Sequence, residues 1–256
     1  MDFKKYKRGE LTTQQLVTII ILIASFVIVL FLFYRLNLGE TTDKEICRNS
    51  VVLQEQASLT SGGLDCRTNY LCISGGDKCT EISQTSEINV DASKSVEETK
   101  DQVFKALADE MSDCWWQFGE GKINYGSKSP IEGTTQYAIC SIVFFDDKIY
   151  EKFSEVNYRD FYDYLKTAKK TESQTYLQYL YGVNEWSDVP ITYNVAFNLA
   201  SDKILTNQKY SIITGIDNKI GTGEVIRPDV ILKVYIIPTS ETESRLFSKK
   251  EFLTKA

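Results

Sequence analysis

The chain has 256 residues, 43% of them hydrophobic and 25% charged, with a formal net charge of −6. That composition suits a folded domain with room for one further segment and excludes wholesale disorder. Histidine is absent, which removes Ser-His-Asp and Cys-His catalysis, His-ligated zinc and HExxH metalloprotease chemistry together.

Charge is spread unevenly along the chain. Residues 1–10 carry Lys4, Lys5, Lys7 and Arg8 against Asp2 and Glu10, so the remainder is more acidic than the whole. An acidic body repels phosphate backbones, and no nucleic-acid partner is expected. From Leu11 to Tyr34 there is no charged residue, and Leu16–Tyr34 is almost wholly apolar. At 1.5 Å per residue that run is roughly 28 Å long, which predicts a transmembrane helix over 11–35. No small-x-small site follows it, unlike a cleaved secretory signal. The positive-inside rule then makes 1–10 a cytoplasmic basic segment and sends everything after the helix outside, a single-pass protein of the cell membrane.

The join Arg8-Gly9-Glu10-Leu11, followed at once by an apolar helix, resembles the class III signal of archaeal type IV pilin-like proteins. The resemblance implies cutting by a prepilin peptidase between Gly9 and Glu10. Gln14 stands at what would be the fifth mature position, where bacterial pilins usually carry Glu. Residues 36–59 have helix-forming character with an apolar set at Ile46, Val51, Val52 and Leu53, and predict a membrane-proximal helix.

Six cysteines, Cys47, Cys66, Cys72, Cys79, Cys114 and Cys140, all fall on the outer side. An even number confined to an exported portion points to disulfides. No CxxC pair occurs, which argues against zinc and against a thioredoxin-like site. Spacing alone leaves connectivity open. Cys72 and Cys79 flank Gly75-Gly76, which reads as the turn of a Cys-rich hairpin over 60–83 and favours pairing those two. Cys114 with Cys140, and then Cys47 with Cys66, are the remaining candidate pairs.

Beyond the polar stretch 84–95, Ser95 and Glu98 form a capping-box pattern. Val103, Leu107, Met111, Cys114, Trp115 and Phe118 recur every three or four residues, predicting an amphipathic helix over 96–118 that stops at Gly119. Strand-formers fill 137–145. Tyr158, Phe161, Tyr162 and Leu165, then Leu177, Leu180 and Tyr181 before Gly182, predict two short helices with aromatic core faces. Residues 191–199, 209–216 and 229–237 are β-rich, and the polar end from 241 reads as a short helix or a frayed tail.

One cluster invites a catalytic reading. Asp109, Glu110, Asp113 and Glu120 lie near Trp115 and Trp116, and glycosidases use two carboxylates beside aromatic platforms. By helical period the first three fall largely off the apolar stripe, as on a solvated face. No residue is assigned as catalytic, none as a metal ligand, and no cofactor is expected.

The segments CRNSVVL, LDCRTNYLCISGG, DCWWQFGEGKINYG, YAICS and TYLQYLYG together resemble uncharacterised single-pass, membrane-anchored archaeal proteins. The resemblance implies an anchor and a location, and no catalytic residues. The expected architecture is α+β: a transmembrane helix, then a disulfide-braced extracytoplasmic domain over 60–256 with a mainly antiparallel sheet. The expected function is a membrane-anchored structural or interaction protein that binds a protein partner or itself, its sharper form a pilin-like surface subunit. The alternatives are a membrane-tethered carboxylate hydrolase of envelope polymers and a fixed subunit of a larger membrane complex.

Overall fold

The structure is a computed structural model that describes residues 13–35, 38–56, 64–79, 85–126, 135–189, 203–217, 230–242 and 250–254. The chain divides into two compact units, Met1–Thr42 and Asp43–Ala256.

In the first unit, helix α1 covers Thr13–Arg35. Its hydroxyls turn inward on its own backbone, Thr18 donating to the Gln14 carbonyl and Ser25 to that of Leu22, so polar side chains add little to its surface. The apolar side chains are exposed, Ile21 and Leu22 at 63% and Phe26 at 62%. The expectation of a transmembrane helix over 11–35 is corrected: among the described residues, no helix is long and apolar enough to cross a membrane.

The second unit begins within α2 (Leu38–Gln56). Strands β1 (Asn69–Ser74) and β2 (Ser86–Asn89) follow, then α3 (Val96–Gln117). Ser95 caps α3, its hydroxyl accepting from the Glu98 amide while the Glu98 carboxylate reaches back to the Ser95 amide. Next come β3 (Thr135–Phe145), α4 (Asp147–Lys152), β4 (Glu155–Asn157), α5 (Tyr158–Thr167) and α6 (Tyr176–Tyr181). The chain continues through β5 (Lys203–Leu205), β6 (Tyr210–Asp217), β7 (Val230–Pro238) and β8 (Lys250–Phe252). The expected strand at 191–199 lies outside the described residues.

The fold is α+β, but the main sheet is mixed rather than mainly antiparallel. Its order is β2-β1-β3-β6-β7, with β8 also on β3. Strand β3 is the seam. One side pairs antiparallel with β6, while the other is shared by β8 at its start and β1 near its end, both parallel. Strand β2 also runs parallel to β1, Leu71 opposite Ser86. The chain therefore does not double back as a hairpin at Gly75-Gly76. It loops out and re-enters in the same direction. The C-terminal stretch, expected as a helix or frayed tail, supplies β8.

Helix α3 packs on β3, β6 and β7 with α5 and α6 beside it, burying Val103, Leu107, Met111, Cys114 and Trp115. Two tyrosines fasten the α5–α6 layer to the last long strand, Tyr181 donating to the Val234 carbonyl at 2.8 Å and Tyr158 to that of Ile236 at 3.4 Å. A bulge in β3 turns two consecutive side chains toward α3. Ile139 pairs with Ile213 and Ser141 with Ile212, so Cys140 is the extra residue. In a regular pleat neighbours face opposite ways, yet Cys140 and Ser141 both reach α3, because the bulge re-aims one of them.

Candidate functional site

The carboxylates of α3 are brought to two separate places. Glu110 is buried at 4% exposure rather than lying on a solvated face. It accepts from the Lys44 ammonium at 3.0 Å, the Asn69 amide at 3.1 Å and the Ser141 hydroxyl. Asp113, one turn on, accepts from the same Lys44 at 2.7 Å. Burial pulls the Lys44 ammonium down, but Glu110 and Asp113 outweigh it and its pKa sits above the ordinary lysine value. One turn further along α2, the Arg48 guanidinium stacks on the Trp116 ring at 4.4 Å and donates to the Trp116 carbonyl. Lys44 and Arg48 thus clamp α2 onto α3. The period of α3 alone hid this, because the groups that surround Glu110 come from α2, β1 and β3.

Asp109 and Glu120 face α6 instead. Asp109 accepts from Lys105 at 2.5 Å, Tyr176 at 2.6 Å and Lys170 at 3.4 Å. Burial alone would raise its carboxyl; the bonds from Lys105 and Tyr176 more than offset that and hold it below the usual carboxylate value. Glu120 sits at φ 57°, the only residue other than glycine with positive φ among those described, between Gly119 and Gly121, which are also left-handed. That turn presents its carboxylate to Lys122 and to the Tyr179 hydroxyl, both at 2.9 Å. The Lys122 bond leads in holding its pKa low.

A carboxylate hydrolase needs environments that push two acids apart, keeping one protonated as the donor. Here Asp109 and Glu120 are both shifted toward the ionised form, and Glu110 and Asp113 share one lysine. Chemically the arrangement is a set of clamps between helices.

The structure brings Cys47 to Cys66, Cys72 to Cys79 and Cys114 to Cys140 as disulfides, leaving no free cysteine. They tie α2 to the approach to β1, close the loop after β1, and pin α3 to the bulge in β3. Among the described residues no group of His, Cys, Asp and Glu could hold a metal ion. The candidate processing site, Gly9 and Glu10, lies outside the described residues.

Sequence reasoning missed one cleft. About 300 Å³ in volume, it opens where β1 and β3 leave the sheet and the turn 206–209 leads into β6. Lys78, Tyr150, Asn207 and Gln208 are on its rim, with Asp146 in its wall. Nothing in the sequence marks those scattered polar residues as neighbours. A shallower groove of about 460 Å³ runs past Asp91, Lys148 and Lys152.

No family model, curated protein or solved structure matches this chain.

Proposed function

We propose that this is a non-enzymatic structural or interaction protein working outside the cytoplasm, and that its apolar N-terminal helix associates with copies of itself in the manner of a type IV pilin-like subunit. The observation that carries the first half is the use of all six cysteines in disulfides, a state that persists in oxidising compartments and is rare in the cytosol. The engagement of Asp109, Glu110, Asp113 and Glu120 by cations and hydroxyls supports the non-enzymatic part. The self-association part is supported by the run of exposed apolar side chains on α1 between Leu16 and Val29, since a contiguous exposed apolar patch marks an interaction surface.

Two measurements test the reading. Protein taken from its native cells, unfolded without reductant and treated with iodoacetamide, is expected to take up no label; labelled cysteines would overturn the compartment assignment. Full-length Ile21→Cys, oxidised in intact cells, is expected to yield cross-linked dimers. Monomer alone would remove the self-association. An N-terminal mass beginning at Glu10 would add support for pilin-type processing, whereas a retained Lys4–Gly9 segment would count against it.

A further inference from the structure

The cleft between the ends of β1 and β3 and the turn 206–209 is a built feature rather than an accident of loops. Its first wall, the chain from Gly75 to Cys79, is closed by the Cys72–Cys79 disulfide. The same wall is gathered by one carboxylate. Asp146 Oδ2 accepts from the Gly75 and Asp77 amides, each at 2.8 Å, and from the Ser74 hydroxyl at 3.1 Å, while Oδ1 accepts from the Ile149 amide at 2.9 Å. The second wall is held as firmly. The Thr206 amide and hydroxyl donate to the Ser154 and Phe153 carbonyls at 3.0 and 2.8 Å, and the Lys209 carbonyl accepts from the Thr239 amide at 2.8 Å.

Those bonds use the backbone of both walls and leave the side chains over. Asn207 and Gln208 are exposed, Tyr150 is 44% exposed on α4, and among the described residues no hydrogen bond engages these three side chains. Two amides, each both donor and acceptor, therefore share the lining of the cleft with a phenol and with the half-buried Phe145 ring. Formal charge balances: Lys78 and Lys209 against Asp146 and Asp147. A strongly charged ligand gains nothing from such a lining. A polar, uncharged ligand with donors, acceptors and C–H faces does, and that describes a sugar. The volume lies at the small end of ligand sites, enough for on the order of one or two sugar rings.

We propose that this cleft binds a short neutral saccharide, with Asn207 and Gln208 hydrogen-bonding its hydroxyls and Tyr150 lying against a ring face. The binding site is separate from the α3 clamps and does not depend on self-association through α1.

The test uses the full chain in a sugar-free zwitterionic detergent on a printed array of neutral and acidic oligosaccharides of known structure, followed by titration of the best neutral hit. Binding to a neutral glycan, weakened at least tenfold in Asn207→Ala/Gln208→Ala and in Tyr150→Ala, is the expected result, since two or more hydrogen bonds or a ring contact are lost. These side chains are exposed and unengaged, so the variants keep the parent thermal midpoint. Binding to no glycan, binding unchanged in the variants, or binding confined to sulfated or uronic glycans and lost in salt would overturn it.

Discussion

Glu110 is one carboxylate serving three donors from three elements: Lys44 of α2, Asn69 of β1 and Ser141 of β3. Deleting one partner of a buried polar set costs more than the set contributes net, because the others stay desolvated without it. Glu110→Ala is expected to lower unfolding free energy by about 3 kcal/mol, read as a drop in the urea midpoint with unchanged slope. Asp113, its side chain 44% exposed, is the internal comparison, and Asp113→Asn is expected to cost under about 1 kcal/mol. Equal costs would mean that Glu110 is not the hub. Asp109 makes a different prediction. Its folded pKa lies below the ordinary aspartate value of 3.8, so its contribution is present above that pH and fades as acid takes the pH down through the folded value. Denaturant midpoints measured from pH 5 downward should fall less steeply in Asp109→Asn than in the parent chain. An identical acid limb in the two would remove the role given to Lys105 and Tyr176.

At the scale of elements, two glycines separate geometric strain from steric collision. Gly182 ends α6 at φ +76° with nothing within 4 Å of an added Cβ, whereas at Gly119, φ +79°, an added Cβ would lie 2.6 Å from the Ile123 side chain. Gly182→Ala therefore carries only the left-handed penalty of about 1 kcal/mol. Gly119→Ala adds a clash, and its thermal midpoint is expected to fall clearly further; a matching drop would mean that Ile123 gives way freely. The same elements show what was legible beforehand. Helix α3 was, since the Ser95–Glu98 box and the three-to-four spacing are local signals. So was the Gly182 stop of α6. The parallel return of β2 was not. Gly75-Gly76 announces a turn but not its destination, which is set by Asp146, a residue about seventy positions away that gathers the loop. The burial of Glu110 was hidden for the same reason, as was the strand β8, whose pairing with β3 depends on a partner more than a hundred residues upstream. The bulge at Cys140 could not be read either, because consecutive residues serving one helix contradict the period that identifies a strand.

The molecule as a whole is held by groups that do not titrate near neutrality. There is no histidine, so no ordinary side-chain pKa falls between about 5 and 8, and stability should be flat across that range. The alkaline side is different because tyrosines join the α5–α6 layer to α3 and β7. Burial leads in pushing Tyr164 and Tyr210 up to about 12, and it drives Tyr162, Tyr176, Tyr179 and Tyr181 higher still. The unfolded chain ionises near the ordinary tyrosine value of 10.0, so for a raised folded pKa the stabilisation is complete below that pH and is lost as pH climbs toward 12 and beyond. Ionising Tyr181 also removes the proton it donates to the Val234 carbonyl, loosening α6 from the sheet edge at the same step. The expected outcome is a single cooperative alkaline transition above about pH 10, in which tyrosinate absorbance and loss of helix signal coincide. If most tyrosines instead ionise near their ordinary value while the circular dichroism stays native, the aromatic layer is open to solvent and does not fasten the helices to the sheet.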